Sequence, residues 1–162
     1  MQLSHHYKAT IRWTGNTGKG TLSYRAYKRD YSISTGNKTD IQGSSDPKFL
    51  GDASKYNPEE LLVASLSACH MLWYLHLCSE AGIIVMEYSD NATGEMAENR
   101  DGSGFFKEVN LHPVVIVKDK FSLELANQLH DKAHKMCFIA NSVNFPVFHH
   151  PKAMLFEENR QE

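Results

Sequence analysis

The chain has 162 residues, of which 41% are hydrophobic and 22% are charged, and this composition is typical of a folded globular protein rather than a disordered or fibrous one. Its length fits one compact domain over residues 1–162. The formal net charge of -2 provides no basic field, so neither nucleic acid nor an anionic membrane surface is an expected partner.

The N-terminal segment and the cysteine count indicate the compartment. The first ten residues, MQLSHHYKAT, contain no apolar stretch followed by a small-residue cleavage site, so no secretion signal is visible. We therefore expect a cytoplasmic protein. Three cysteines are too few for a disulfide framework, and in a reducing compartment they are expected to be free thiols.

The first third of the chain is predicted to be rich in strands. Apolar and β-branched residues predict strands at 3–13, 21–27 and 31–34, with a glycine-rich turn at 15–20. Residues 36–56 are rich in glycine, serine, aspartate and lysine and show no periodicity. This composition predicts a long loop, and long loops in compact domains are often functional.

A long central helix is predicted next. Asn57 can cap it, Pro58 suits its first turn, and Glu60 lies three residues after the cap, as in a capping box. The helix is expected to run to about Ala81 and to end at Gly82. Residues 61–78 are almost all apolar or small, but serines and histidines interrupt them. We therefore expect a fully buried central helix and no membrane span.

The second half of the chain mixes both kinds of element. Residues 83–98 and 104–118 predict two long paired strands joined by a turn. A second helix is predicted from Ser122 to about Phe138, and residues 143–156 are β-like. The predicted apolar stripe of the second helix consists of Leu125, Leu129, Ala133 and Met136. The order of elements predicts an α+β fold.

Cys69 is the first candidate for chemistry, because it lies near the middle of the central helix among small residues. A buried cysteine is commonly inert, and a position in mid-helix is too far from the N-terminus for the helix dipole to activate the thiol. A reactive Cys69 therefore needs a cation from elsewhere. Cys78 lies nine residues further along the same helix, out of disulfide reach, and is predicted to be a core residue.

The run NPEELLVASLSACH at 57–70, together with Cys137 near the end of the second helix, resembles the OsmC/Ohr family of organic hydroperoxide reductases. The resemblance implies an OsmC-like α+β fold, in which antiparallel strands wrap around central helices in an intertwined homodimer. It implies reduction of organic hydroperoxides to alcohols, with a dithiol such as a dihydrolipoyl protein as the reductant. No cofactor is expected, and the dimer is expected to share its active sites.

Three residues take roles from the family pattern. The resemblance makes Cys69 the thiol that attacks peroxide, Cys137 the thiol that closes a disulfide with it, and Glu59 the carboxylate of the motif. Glu59 and Cys69 are ten residues apart, roughly 15 Å along a straight helix, so they cannot touch within one helix. We therefore expect either a break in the helix or, preferably, a carboxylate supplied by the partner chain.

The basic residue that activates the thiol is less directly indicated. An arginine would stabilise both the thiolate and the polarised peroxide. The family places it in the first hairpin or before the central helix, where this chain has Thr17 and Lys48. Arg25 is our substitute, with Arg29 and Lys48 as the next candidates.

Three alternatives stay open at this stage. His130, His134 and Cys137 lie along one predicted helical face and predict a metal site, although a fourth ligand is not evident. A cysteine hydrolase with Cys69 as nucleophile is a second alternative; His70 is its neighbour in sequence but diverges from it by about 100° on a helix, whereas a distant histidine could be the base. A non-enzymatic protein that binds a small molecule on the same scaffold is the third alternative.

Overall fold

A computed structural model describes residues 3–157. The chain forms two compact units that divide between Leu61 and Leu62. The expectation of one domain over residues 1–162 stays a prediction.

The first unit contains a small antiparallel sheet in the order β1-β2-β3. Its strands are β1 at Thr10–Trp13, β2 at Tyr31–Ser34 and β3 at Ile41–Gly43. The prediction at 31–34 is confirmed. The predicted loop at 36–56 was only partly right, because it contributes β3 and a short 3-10 helix at Pro47–Phe49.

The strand predicted at residues 21–27 was wrong. This segment forms turns and bends, and its main chain is folded back around the side chain of Arg29. The guanidinium group donates hydrogen bonds to the carbonyl oxygens of Tyr24 and Tyr27, each at 2.6 Å. Both tyrosine rings also lie about 4 Å from the guanidinium carbon, as cation–π partners. These local contacts compete successfully with strand pairing.

The central helix, α1, spans Pro58–Glu80 and begins as predicted. The side chain of Asn57 accepts a hydrogen bond from the amide of Glu60 at 2.7 Å, and the carboxylate of Glu60 accepts one from the amide of Asn57 at 3.1 Å. This is the predicted capping box. The helix ends before Gly82, whose φ of 72° lies in the left-handed region that glycine tolerates.

The expectation that α1 is buried on all sides is not met within this chain. Its buried residues form one stripe: Leu66, His70, Tyr74, Leu77 and Cys78. Other apolar positions face outward, and Leu72 is 63% exposed. Among the described residues, α1 is the one helix long and apolar enough to cross a membrane, a test that core helices of soluble proteins also pass.

The second unit contains two three-stranded sheets, ordered β4-β7-β9 and β5-β6-β8. The strands are β4 at Val85–Asp90, β5 at Thr93–Glu98, β6 at Gly104–Leu111, β7 at Pro113–Val117, β8 at Val147–His149 and β9 at Lys152–Leu155. Strands β4 and β7 pair antiparallel, as do β5 and β6, whereas β8 and β9 join their sheets in parallel. The α+β fold class is confirmed.

The predicted long hairpin at 83–118 pairs as expected but is broken into two sheets. The break lies where the carboxylate of Asp90 accepts hydrogen bonds from the amide of His112 at 2.7 Å and from the hydroxyl of Ser67 at 2.6 Å. Pro113 follows directly and has no amide hydrogen to donate to a ladder. Asp90 therefore connects the interrupted hairpin to α1.

The second helix, α2, spans Leu123–Met136, and its buried face differs from the predicted stripe. Ala126, His130 and Ala133 are fully buried, whereas Leu125 and Met136 are 43% and 38% exposed. The helix is therefore rotated relative to the apolar pattern. The prediction failed because it counted apolar residues only, and the centre of the buried face is a histidine.

Candidate active site

Cys69 and Cys137 lie side by side in the second unit. Cys69 is half-buried in the middle of α1, and Cys137 is 1% exposed at the C-terminal cap of α2. Burial raises the pKa of the Cys137 thiol to about 11, and the neighbouring Cys69 thiol raises it further. Both are free thiols. One thiol is thus open to solvent, and a second, protonated thiol lies behind it.

Backbone contacts hold Cys137 in place. Its amide donates to the carbonyl oxygen of His134 at 3.2 Å, which closes the last turn of α2. Its sulfur accepts a hydrogen bond from the amide of Ala140 at 3.4 Å, and its carbonyl oxygen accepts one from the amide of Asn141 at 3.0 Å. The sulfur can therefore move little relative to the end of the helix.

The third cysteine, Cys78, is a core residue, as predicted. It is 1% exposed and packs in the cluster that contains Tyr74 and Leu77. Burial raises the pKa of its thiol, and the neighbouring Tyr74 hydroxyl opposes this shift.

Two aromatic rings flank the thiol pair along the chain. Trp73 lies one helical turn after Cys69, and Phe138 follows Cys137 directly. Their rings meet edge to face with centroids 5.7 Å apart. Phe138 is 61% exposed, so this contact presents an apolar surface to solvent.

A cluster of four histidines, His70, His130, His134 and His149, lies between α1, α2 and β8. The Nε2 atom of His70 is 2.9 Å from Nδ1 of His130. The ring of His149 is 5.6 Å from that of His70 and 5.1 Å from that of His134, centroid to centroid. At the exposed end, His149 pairs with the carboxylate of Asp131 at 2.9 Å.

The two innermost histidines are neutral at pH 7. Burial lowers the pKa of His70 to about 4 and that of His130 to about 3, and neighbouring histidines add to both shifts. Among the described residues, Nδ1 of His70 and Nε2 of His130 are buried without a hydrogen-bond partner. The sequence pattern had indicated His130 and His134 as metal ligands but gave no sign that His70 and His130 meet, since they are 60 residues apart.

The arrangement does not support the alternative chemistries. Within residues 3–157, no group of three or more histidine, cysteine, aspartate or glutamate side chains is arranged to hold a metal ion. His130 is instead hydrogen-bonded to His70, and Cys137 lies next to Cys69. His70 is fully buried and hydrogen-bonded to His130, so it is not available as the base of a hydrolase arrangement with Cys69.

The candidate charged residues all belong to the first unit. Arg25 is exposed and has no hydrogen bond or ion pair within residues 3–157, whereas the guanidinium group of Arg29 is occupied by its own loop. Lys48 lies in the 3-10 helix. Burial, and then the charge of Glu59, raise the pKa of Tyr31, so this carboxylate lies near the sheet of the first unit. Their roles at the thiols stay predictions.

The fold and the thiol pair define a class: an α+β protein with two neighbouring cysteines on separate helices. The family model described as OsmC-like protein matches residues 51–150. The chain therefore belongs to the OsmC-like family, and the resemblance found in the sequence is confirmed. A comparison with curated proteins gives no match.

Solved structures place the chain in the same fold. An OsmC-like protein of unknown function from Vibrio cholerae has a TM-score of 0.82 and 29% identity, covering 91% of this chain and 99% of that one. An organic hydroperoxide resistance protein from Elizabethkingia anophelis has a TM-score of 0.68 at 19% identity, covering 96% and 100%. One from Legionella pneumophila, also named as a predicted redox protein, has a TM-score of 0.65 at 16% identity, covering 94% and 98%.

Proposed function

We propose that this protein is a thiol peroxidase that reduces organic hydroperoxides to alcohols. The observation that carries the proposal is the pair of unequal thiols, with half-buried Cys69 in front of buried Cys137. Family membership supports it, since proteins with the same fold are named for organic hydroperoxide resistance.

The first step takes place at Cys69. Its thiolate attacks the terminal oxygen of the hydroperoxide, so the O–O bond breaks and Cys69 becomes a sulfenic acid. The alkoxide that leaves takes a proton and is released as the alcohol. Cys69 suits this role because it is the more exposed of the two paired thiols.

The second step closes a disulfide. The sulfur of Cys137 displaces hydroxide from the sulfenic acid of Cys69, and hydroxide leaves as water with the proton of the Cys137 thiol. A dithiol such as a dihydrolipoyl protein then reduces the disulfide by exchange and is itself oxidised. A reducing, cytoplasmic compartment fits such recycling and remains part of the proposal.

We assign the activating cation to Arg25 and its orienting carboxylate to Glu59. Arg25 is preferred because its guanidinium group is exposed, whereas that of Arg29 is held by two carbonyl oxygens. Conversion of Arg25 to Gln is expected to slow the reaction of Cys69 with hydroperoxide by a factor of about 100, whereas conversion to Lys restores part of it. An unchanged rate in R25Q would remove Arg25 from the proposal.

The proposal includes a homodimer with shared active sites. Helix α1 is continuous over Pro58–Glu80, so a helix break does not bring Glu59 to the thiol of its own chain. The outward apolar positions of α1, such as Leu72, also favour burial against a second copy. Light scattering over a dilution series tests this, and a folded, fully active monomer would contradict it.

The decisive experiment treats reduced protein with one equivalent of cumene hydroperoxide and measures intact mass and peptide linkage. The expected product has lost two hydrogens and contains a Cys69–Cys137 disulfide. In Cys137→Ser, the sulfenic acid of Cys69 should persist and react with dimedone.

Cys78→Ser is the matched control, because Cys78 lies on the same helix but in the core. This variant is expected to form the same disulfide as the unmodified protein. Thiols that stay reduced, or oxidation at Cys78, would refute the assignment.

A further inference from the structure

A buried hydrogen bond joins the two helices that carry the thiols. Nε2 of His70 on α1 and Nδ1 of His130 on α2 are 2.9 Å apart, and the residues are 1% and 0% exposed. Over residues 3–157 it is the one hydrogen bond between side chains of α1 and α2. The remaining contacts between the helices are packing contacts, which fix the relative orientation of the helices less strictly than a hydrogen bond does.

This hydrogen bond is a costly way to hold two helices together. Each ring is neutral and carries one N–H, so one histidine donates and the other accepts. Whichever ring donates, one N–H and one lone pair are left at Nδ1 of His70 and Nε2 of His130, where both atoms are buried without a partner. An apolar pair of similar size would avoid this penalty. What it would lack is a directional contact that specifies one arrangement of the helices.

The bond lies close to the thiols. His70 follows Cys69 in the chain, and His130 lies seven residues before Cys137, about 10 Å along the axis of α2. The ring of His130 also stacks on that of Tyr74 at 3.8 Å. A slide or rotation of α2 against α1 would therefore break the bond and separate the two sulfurs together.

We propose that His70 and His130 are positioning residues, whose hydrogen bond holds α1 and α2 in the register at which Cys69 and Cys137 can form a disulfide. The inference deepens the proposed function, since it rests on the same thiol pair. It assigns these histidines neither a contact with substrate nor a metal. Their role is to keep the effective concentration of Cys137 at Cys69 high.

The test measures the disulfide equilibrium in mixtures of reduced and oxidised glutathione, without any hydroperoxide. In this reaction the two thiols become a disulfide as oxidised glutathione takes up two electrons and two protons. Amide side chains then distinguish the hydrogen bond from polarity alone. Gln places its amide near Nε2 of a histidine, and Asn places its amide near Nδ1.

The two positions therefore have opposite requirements. At position 70, which uses Nε2, His70→Gln should change the equilibrium constant for disulfide formation by less than about twofold. His70→Asn should lower this constant about tenfold. At position 130, which uses Nδ1, His130→Asn should keep it and His130→Gln should lower it. Equal effects of Asn and Gln at both positions, or no effect of any, would overturn the inference.

His134→Asn is the matched control, because His134 belongs to the same cluster and helix but its side chain makes no hydrogen bond to α1 in the described part of the chain. This variant should leave the equilibrium constant for disulfide formation unchanged. A tenfold decrease of that constant in His134→Asn would overturn the inference. If His70→Asn and His130→Gln fail to fold, the retaining variants still decide, since a tenfold loss in either one contradicts the register role.

Failure of the proposed function gives a different result. In one outcome the wild type forms the disulfide in glutathione, and Gln is tolerated only at position 70 and Asn only at position 130, but the protein does not react with cumene hydroperoxide. This outcome would refute the peroxidase and keep the register role. A wild-type protein that forms no Cys69–Cys137 disulfide in glutathione would overturn the inference itself. Urea unfolding of the reduced variants separates a loss of helix register from a general loss of stability. General destabilisation lowers the free energy of unfolding without the opposite preferences for Gln at position 70 and Asn at position 130.

Discussion

The ring of Trp73 meets that of Phe138 edge to face, with centroids 5.7 Å apart, and each ring is close in the chain to one of the paired thiols. An exposed aromatic surface at this place favours apolar substrates. We predict that Phe138→Ala lowers kcat/KM for cumene hydroperoxide about tenfold and changes that for hydrogen peroxide less than twofold. Steady-state peroxidase assays with both substrates check this.

Phe121→Ala is the control for that prediction. Phe121 is 83% exposed and lies in the short 3-10 helix Lys120–Ser122 that precedes α2, away from the end that carries Cys137. It should leave both substrates unaffected. An equal loss for both peroxides in Phe138→Ala would show that the ring acts on the thiols and not on substrate choice.

The high pKa of Cys137 has a kinetic consequence. Because burial raises this pKa to about 11, only a small fraction of Cys137 is thiolate at pH 7, and that fraction grows about tenfold for each pH unit up to about pH 10. We predict that disulfide closure after peroxide attack accelerates with pH over this range. Stopped-flow tryptophan fluorescence at pH 7, 8 and 9 measures the rate.

Cys137→Ser provides the control, since it removes the closure phase and leaves the first step intact. A closure rate that does not change between pH 7 and 9 would mean that the Cys137 thiol loses its proton to a nearby base during the reaction, and not to solvent beforehand.

Local signals in the sequence were sufficient for some elements and insufficient for others. The start of α1 was predicted because all its determinants, Asn57, Pro58 and Glu60, lie within four residues of one another. The segment at 21–27 was predicted wrongly because a single side chain, Arg29, binds carbonyl oxygens that a strand would have used. Side-chain to backbone contacts of this kind carry no periodic signal.

The site was predictable in part, and for a different reason. Cys69 and Cys137 are 68 residues apart, and no spacing rule predicts that they meet. Their pairing followed from the resemblance to a family. The histidine cluster did not follow from either source, because His130 disrupts the apolar stripe of α2, and His70 is read as an interruption of α1. Buried polar contacts between helices become visible only when the fold brings them together.

The capping box makes a stability prediction. Asn57→Ala removes the acceptor for the amide of Glu60 and should lower the free energy of unfolding by about 1 kcal/mol. Asn57→Asp keeps an acceptor at the same place and should cost less than half as much. Urea denaturation of both variants measures the difference, and equal losses would show that Asn57 acts through burial and not as a cap.

The His70–His130 pair should make the fold sensitive to acid. In the unfolded chain each histidine has a pKa of about 6.5, whereas burial lowers these pKa values to about 4 and about 3 in the folded protein. Between those limits the unfolded state binds more protons than the folded state. The contribution of the two neutral histidines to stability is therefore fully present above pH 6.5 and is lost as pH falls toward 4. The expected slope near pH 5 approaches two protons, about 2.5 kcal/mol per pH unit.

Urea unfolding between pH 4 and 8 measures this slope in the wild type and in the double variant His70→Gln/His130→Asn, which does not titrate at these positions. The double variant should show a much flatter profile between pH 4.5 and 6.5. His76→Gln is the control, because His76 is an exposed histidine on the same helix and its one ion-pair partner within residues 3–157 is Glu80. It should keep the wild-type slope. A double variant that retains the full slope would show that other groups cause the loss of stability in acid, with the carboxylates as the first to examine.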